Sequence, residues 1–320
     1  MRPSSATLGV SLLAMCVMPL LGMRTPPSDA PRIQASERMA LSLLRIRELR
    51  RAAGIPVDRT LDPNDTGIVG DEFSTLTTSL GDVAAKRTAA NPAFAGVITG
   101  YFQSAGLKRG DVVAIGASGS FPALILATLS AARALELEPV AIYSVGSSMY
   151  GANLPGFTFV DMLNGLRRDG LLPYQFVAVA PGGADDAGRG VLFDETGDTL
   201  MREARRSGLP VIGGPSLEAS IQERLRVFAA AARGRPVRCF VNIGGASASF
   251  GDTPASLDLA NGLVRRVASI PSSPTRGLVF EFLSRGVPVI HLLHVRGLTE
   301  ANHLPFDPVP FPALPSRPGE

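Results

Sequence analysis

The run Gly-Ala-Ser-Gly-Ser at residues 116–120 is the stretch best suited to nucleophilic chemistry. It is close to the Gly-x-Ser-x-Gly elbow that presents a serine hydroxyl at the end of a strand, but serine replaces its last glycine. Asp185 or Asp186, and then His291 or His294, follow Ser118 in the chain order of a serine hydrolase triad, and Ser118, Asp185 and His291 are the candidate catalytic set. We favour ligand binding or turn formation by Ser118 over catalysis, because the Ser120 side chain crowds the strand–helix contact.

The histidines do not suggest a metal site. His291 and His294 lie three residues apart on a predicted strand, where they point to opposite faces and cannot share one ion, and His303 is the third histidine. The signature of a P-loop is missing from the sequence, and the glycine spacing at 116–119 is too short for a dinucleotide fingerprint. We therefore expect no metal, and the sequence identifies no cofactor.

Glycine and hydroxyl residues follow five apolar segments along the chain. The predicted strands cover residues 112–115, 140–144, 176–180, 209–212 and 238–243, and a last strand covers 287–295. The predicted helices cover 32–53, 92–105, 199–207, 253–268 and 280–285, and two others begin at Pro122 and Ser216. This alternation predicts an α/β fold, an open and mostly parallel Rossmann-like sheet with helices on both faces. The carboxyl ends of its strands would then form one polar, ligand-binding edge.

A second polar stretch, residues 74–92, contains five hydroxyl residues followed by Lys86 and Arg87. Hydroxyl groups beside Lys and Arg suit a carboxylate or phosphate, and the alternative is a polar loop with a surface basic pair. Together with the strand ends, this stretch gives the candidate ligand-binding residues. They are Thr77, Thr78, Lys86, Arg87, Gly116, Ser118, Gly119, Ser120, Ser147, Ser148, Asp185, Asp186, Arg189, Asn242, Gly244 and Gly245.

Composition argues for a folded protein that does not bind nucleic acid. Of the 320 residues 45% are hydrophobic and 18% charged, and the formal net charge is only +3. Trp is absent and Tyr occurs four times, so aromatic platforms for stacked bases are poorly supplied. Cys16 and Cys239 cannot form a disulfide framework, because Cys16 lies in an apolar N-terminal run.

The apolar run at residues 6–22, between Arg2 and Arg24, predicts a single-pass membrane anchor over 1–24, and a cleaved secretory signal is the alternative. Residues 25–70 are then a linker and an amphipathic helix leading away from the membrane, 71–304 the α/β domain, and 305–320 an extended Pro-rich tail. The charges flanking the apolar run leave the orientation weakly determined, and we favour an extracytoplasmic domain at the cell membrane.

Six runs together resemble a bacterial family, the poly-gamma-glutamate system proteins. The runs are LTTSLG (76–81), AKRTAANP (85–92), GDVVAIGASGSFPAL (110–124), SVGSSMYGAN (144–153), GGADDAGRG (182–190) and NIGG (242–245). Each run alone is weak evidence, and the resemblance extends over about residues 30–312. It implies a protein of capsule-type polymer biosynthesis that accompanies the membrane subunits making and exporting poly-γ-glutamate. It implies a pathway and no particular reaction.

Three functions remain open. The first is an anchored accessory protein that binds the anionic polymer, its precursor or the synthase subunits. The second is a serine-dependent amide hydrolase or transferase acting on polyglutamate, and the third is a tethered domain that binds a small molecule or sugar phosphate.

Overall fold

The computed structural model describes residues 29–189, 192–193 and 195–314, and the predicted anchor at 1–24 lies outside these residues. The helices are α1 (Ala30–Ala52), α2 (Val83–Ala89), α3 (Ala93–Ser104), α4 (Pro122–Ala134), α5 (Phe159–Arg168), α6 (Thr196–Arg206), α7 (Leu217–Ala231), α8 (Ser247–Phe250), α9 (Gly277–Ser284) and α10 (Val295–Ala301). The strands are β1 (Thr77–Ser79), β2 (Val112–Ser118), β3 (Glu138–Ser144), β4 (Ser147–Ser148), β5 (Ala178–Ala180), β6 (Val237–Ile243), β7 (Gly262–Val264) and β8 (Val289–Leu292). No helix in the described part of the chain is both long enough and apolar enough to span a bilayer.

Six strands form one sheet in the order β5-β3-β2-β6-β8-β7, parallel throughout except for the antiparallel edge strand β7. Alternate residues of β2 belong to different cores: Val113 and Ile115 pack into one, Val112 and Ala114 into the other. Both faces of the sheet are therefore covered, which explains why its strands are continuous apolar runs without alternating polar residues. The predicted α/β class with a mostly parallel sheet is confirmed.

Helix α1 packs on α3, α4 and α5 and contributes Met39, Leu43 and Ile46 to the larger core. Near its end the buried Arg50 donates hydrogen bonds to the carbonyl oxygens of Gly67 and Val69. A helix that extended away from the domain would leave these apolar side chains in water. α1 is thus one layer of the α/β domain.

Three predicted elements are wrong. No helix covers residues 253–268, where a 3₁₀ turn at Pro254–Ser256 is followed by β7. The signal Thr253-Pro254 starts only a single turn, because the chain changes direction at Asn261-Gly262, where Gly262 has φ 85° and begins β7. The predicted strand 209–212 is reduced to one bridge between Val211 and Val179, since two glycines and Pro215 follow at once.

The third error concerns the last strand, which ends at Leu292 and not at residue 295. His294 is the N-cap of α10, and its Nδ1 accepts a hydrogen bond from the Gly297 amide at 3.2 Å. The strand therefore stops short of His294, which enters the loop at the carboxyl edge of the sheet.

The Pro-rich segment after residue 304 lies against the domain as far as residue 314. Phe306 and Phe311 pack on the larger core. The Arg87 guanidinium holds the Asp307 carboxylate through two hydrogen bonds, and the Asp307 amide donates to Thr88 Oγ1 at 2.8 Å. These contacts fix the segment against the end of the polar stretch 74–92.

Candidate functional site

A polar cavity lies where the strand order reverses. From β2 the chain moves outward to β3 and β5, and it then returns to β6 on the other side of β2 and continues to β8. In an open parallel sheet this reversal opens a crevice beyond the carboxyl ends of the two central strands. A cavity of about 510 Å³ occupies that crevice, a size typical of small-molecule sites.

Every parallel strand contributes small or polar residues to this cavity. The lining includes Ser118 and Ser120 after β2, Ser144, Gly146 and Ser148 around β3 and β4, Gly182 and Gly183 after β5, Gly245 and Ser247 after β6, and His294 and Arg296 after β8. The register aligns the strand ends, since Ser118 lies opposite Ser144. Four of the five predicted strand ends thus converge on the cavity, whereas the glycines after residues 209–212 do not line it and the end of β8 takes part instead. Ligand binding itself stays a prediction.

Lys86 is the buried charged group of the cavity wall. Its ammonium donates to the Ser120 carbonyl oxygen and lies 2.7 Å from Ser148 Oγ. The Phe121 ring covers it, with its centroid 3.7 Å from Nζ. Burial lowers the pKa of Lys86 from 10.5 to about 7, because the low dielectric disfavours the charged form.

The position of Lys86 follows from its local structure. Asp82 caps α2 by accepting a hydrogen bond from the Ala84 amide at 2.9 Å, and Lys86 follows one turn later. The short parallel pair of β1 and β4 holds Ser148 beside that turn. The side chain is only 4% exposed, so the apolar stem is buried and the amine reaches the cavity.

The cavity carries more positive than negative charge. Arg296 lies on its wall, and its Cζ is 3.7 Å from the centroid of the Phe306 ring. This stacking contact positions the guanidinium and involves no carboxylate. Asp82 is the acidic residue of the lining, and its carboxylate is engaged as the cap of α2. These charges favour an anionic ligand.

The candidate triad does not assemble. Ser118 Oγ lies 3.1 Å from Ser120 Oγ and accepts a hydrogen bond from the Ser120 amide. His291 is buried against Asn242, whose Nδ2 lies 2.9 Å from its Nδ1, and burial lowers the His291 pKa to about 4. Asp185 pairs instead with Arg189 at 2.8 Å on the surface. Each of the three candidates is thus occupied with another partner, and the cavity lining includes only Ser118 among them.

Asp186 belongs to a buried structural network. It forms an ion pair with Arg224 at 2.6 Å, and both side chains are 1% exposed. Arg224 also donates to Ser144 Oγ at 2.7 Å, which fixes that hydroxyl at the cavity wall. Asp186 therefore supports the wall through Arg224 and Ser144.

Several other predicted binding residues lie behind the cavity surface and hold its loops. Ser147 Oγ donates to the Gly119 carbonyl oxygen at 3.0 Å. A side chain at Gly119 would place its Cβ only 2.7 Å from the Val145 carbonyl oxygen, so a close approach of backbones requires glycine there. The candidates that do not line the cavity are Thr77, Arg87, Gly116, Gly119, Ser147, Asp185, Asp186, Arg189, Asn242 and Gly244.

Sequence reasoning missed Arg296 and considered His294 only as an alternative to His291, and both residues line the cavity. Both follow β8, and the predicted strand ran past His294 and so concealed another strand end. Ser144 and Ser247 also line the cavity, and their signal was already present in the glycine and serine runs after β3 and β6. Among the residues that the structure describes, no group of three His, Cys, Asp or Glu side chains converges as metal ligands would.

No protein-family model matches this chain, and no curated protein or solved structure is significantly similar to it. The resemblance to the poly-gamma-glutamate system proteins therefore stays a prediction from the sequence.

Proposed function

We propose that the cavity at the carboxyl edge of the sheet binds a ligand bearing carboxylates, and that this ligand is poly-γ-glutamate or a precursor of it. The observation that carries the proposal is Lys86, a buried amine on the cavity wall. Among the described residues no carboxylate forms an ion pair with it. A buried charge without a counter-ion costs free energy, and an anionic ligand would offset that cost.

The remainder of the lining suits the same ligand. Hydroxyl groups of Ser118, Ser120, Ser148 and Ser247 can donate to carboxylate oxygens, and Arg296 adds a second cation. A polymer with one carboxylate on every unit would meet these groups repeatedly along the edge of the sheet. The cavity lies across the carboxyl ends of five parallel strands, and this position suits an extended chain.

The cellular setting of the proposal comes from the sequence resemblance and the apolar run at residues 6–22. The protein would be an accessory component of a poly-γ-glutamate synthesis and export system, tethered by its N-terminal segment and facing the extracytoplasmic side. Its partners would be the membrane subunits of that system. The Rossmann-like sheet would serve as the rigid support of a binding site without a nucleotide.

Binding of γ-linked glutamate oligomers to the full chain tests the proposal. We expect Lys86→Met to weaken binding about 10-fold to 100-fold, the range for loss of a charge-assisted hydrogen bond. Lys108→Met is the matched control, because Lys108 is the other lysine and is exposed outside the cavity. Calorimetry at two salt concentrations measures both affinities.

Equal affinity of the Lys86→Met variant and the parent would refute the assigned site. If the parent protein binds a sugar phosphate and does not bind the oligomers, the ligand of the cavity is a small phosphate compound and not the polymer.

A further inference from the structure

We propose that Ser148 is a nucleophile and Lys86 its general base, so that the cavity cleaves or transfers an amide bond of the ligand it holds. The inference rests on the proposed function, because it takes the bound γ-linked glutamate chain as the amide substrate. It differs from the candidate triad at Ser118, because in the described residues no base is in contact with the Ser118 hydroxyl.

The geometry of the pair is that of a nucleophile in hydrogen-bond contact with its base. Lys86 Nζ and Ser148 Oγ are 2.7 Å apart, and both residues line the cavity. Proton transfer within such a pair requires a heavy-atom separation of about 2.6–3.2 Å. The contact therefore needs no rearrangement before reaction.

The Ser148 backbone is fixed on both sides of the hydroxyl. Its amide donates to Ser120 Oγ at 3.0 Å, and β1 holds the strand through the Met149 amide, which donates to Ser79 at 3.0 Å. A Cβ placed on Gly81 would lie 3.2 Å from Ser148 Oγ, so the glycine keeps the approach to the hydroxyl open. A nucleophile held on paired strands is well positioned for attack.

Burial favours the neutral amine of Lys86, and its hydrogen-bond partners are compatible with that form. A neutral amine has two N–H groups and one lone pair, so it can donate to the Ser120 carbonyl oxygen and accept the proton of Ser148. The Phe121 ring shields the group from water. With its pKa lowered to about 7, roughly half of the amine is unprotonated at neutral pH.

A lysine at position 86 is better suited than an arginine to act as a base. Lys86 and Lys108 are the two lysines among the 31 Lys and Arg residues, and arginine is the cation of ion pairs such as Arg87–Asp307 and Arg224–Asp186. Arginine keeps its proton at any physiological pH and binds carboxylates in a bidentate manner. A buried lysine can lose its proton near neutral pH and so act as a base as well as bind a carboxylate, which an arginine cannot do.

The reaction balances with water as the second substrate. Ser148 Oγ attacks the amide carbonyl carbon while its proton moves to Lys86 Nζ, and a C–O bond forms. The C–N bond then breaks, Lys86 returns the proton to the leaving amine, and an ester remains on Ser148. Water attacks the ester carbon and gives a proton to Lys86, the acyl C–Oγ bond breaks, and Lys86 returns the proton to Ser148 Oγ as the carboxylic acid leaves. An amine that attacks in place of water completes a transfer by the same steps.

Two measurements on the full chain test the pair. The first follows the amines released from γ-linked glutamate oligomers, and the second uses mass spectrometry to locate the adduct of an alkyl fluorophosphonate, a serine-directed probe. We expect an adduct on Ser148 and a rate that rises with pH through an inflection near 7. Ser148→Ala should abolish the adduct and lower the cleavage rate at least 100-fold.

Lys86→Arg separates the base from the charge. The variant keeps a cation in the cavity, so we expect it to bind oligomers but to lose at least 100-fold in cleavage and in labelling of Ser148. Ser284→Ala and Lys108→Met remove an exposed serine and lysine outside the cavity and should match the parent. Should Lys86→Arg fail to fold, the pH profile of the parent and the Ser148→Ala variant still decide.

The failures of the two proposals are distinguishable. Oligomer binding by the parent without cleavage or a Ser148 adduct overturns the nucleophile and leaves the binding function intact. An adduct on Ser118 overturns the assignment to Ser148. A parent protein that neither binds nor cleaves the oligomers overturns the proposed function together with this inference.

Discussion

Two buried cations reach the carboxyl edge of the same sheet with opposite surroundings. Arg224 extends from α7 and meets Asp186 at 2.6 Å, with Ser144 as a further acceptor. Lys86 extends from α2 and meets a carbonyl oxygen, a hydroxyl and an aromatic ring. Both are withdrawn from water, but of the two only the arginine is in ion-pair contact with a carboxylate among the described residues.

The difference separates a structural role from a chemical one. A paired buried charge cannot lose its partner without a large cost, so the Arg224 network fixes the loops after β3 and β5. An unpaired buried amine can have similar populations of its charged and neutral forms near neutral pH. A bound ligand or a change of pH can then shift its protonation state. Four predictions test this contrast.

The largest expected effect follows from breaking the buried pair. Asp186→Asn leaves Arg224 charged and buried without its partner, so we expect a loss of about 3–5 kcal/mol in the free energy of unfolding. Asparagine tolerates the backbone of this residue, whose φ is 62°. Urea denaturation near pH 7 measures the loss.

Asp185→Asn is the matched control, because the adjacent Asp185 has φ 57° and forms an exposed pair with Arg189. Exposed pairs contribute about 0–1 kcal/mol. Similar losses in the two variants would show that burial does not distinguish these ion pairs.

The second prediction concerns Lys86 and pH. The pKa of Lys86 is about 7 in the folded protein and 10.5 for an unperturbed lysine, the value taken for the unfolded chain. Between pH 7 and pH 10.5 the unfolded chain therefore binds a proton that the folded protein has lost. Stability therefore rises with pH across this window. Relative to Lys86→Met, the parent should gain about 2–3 kcal/mol between pH 6 and pH 9.

Urea denaturation of both proteins at the two pH values gives this difference, and the other titrating groups cancel in it. Lys108→Met reports the effect of removing one exposed positive charge. A parent that gains nothing over Lys86→Met would mean that Lys86 keeps its proton, and the contrast with Arg224 would then disappear.

The sheet was the predictable part of this molecule. Buried parallel strands bounded by glycine carry a strong local signal, and β2, β3 and β6 lie where the apolar runs predict them. The helix starts at Pro122 and Ser216 were equally clear, since capping chemistry is local. The convergence of the strand ends followed from parallel topology alone.

Partner choice was not predictable, because it depends on contacts distant in sequence. Lys86 and Arg87 are neighbours with similar chemistry, but Lys86 reaches the cavity and Arg87 pairs with Asp307, 220 residues away. Asp185 and Asp186 diverge in the same way. The Lys86–Ser148 contact joins two runs that the sequence marked separately, and no local spacing relates them.

His291 extends the contrast to a third buried base, since a neutral Asn242 is its hydrogen-bond partner. Burial lowers its pKa from 6.5 to about 4, so the unfolded chain takes up the proton first as pH falls. Stability from this group is therefore present above pH 6.5 and lost as pH falls toward 4. Between pH 7 and pH 5 the parent should lose about 2 kcal/mol more than His291→Gln.

The same urea experiment at the two pH values checks this loss, with His303→Gln as the variant of an exposed histidine. Equal acid sensitivity of the parent and His291→Gln would show that His291 titrates alike in both states.

The smallest effect is expected at Arg87, the paired neighbour of Lys86. Its bonds to Asp307 hold the C-terminal segment, and both side chains are partly exposed, so Arg87→Met should cost about 1 kcal/mol. The Asp307 amide, which donates to Thr88, should exchange its hydrogen faster in the variant. Oligomer affinity should stay that of the parent, because Arg87 lies outside the cavity lining. Hydrogen exchange and calorimetry measure both, and a loss of affinity as large as that of Lys86→Met would assign ligand binding to the pair of basic residues and remove the distinction between them.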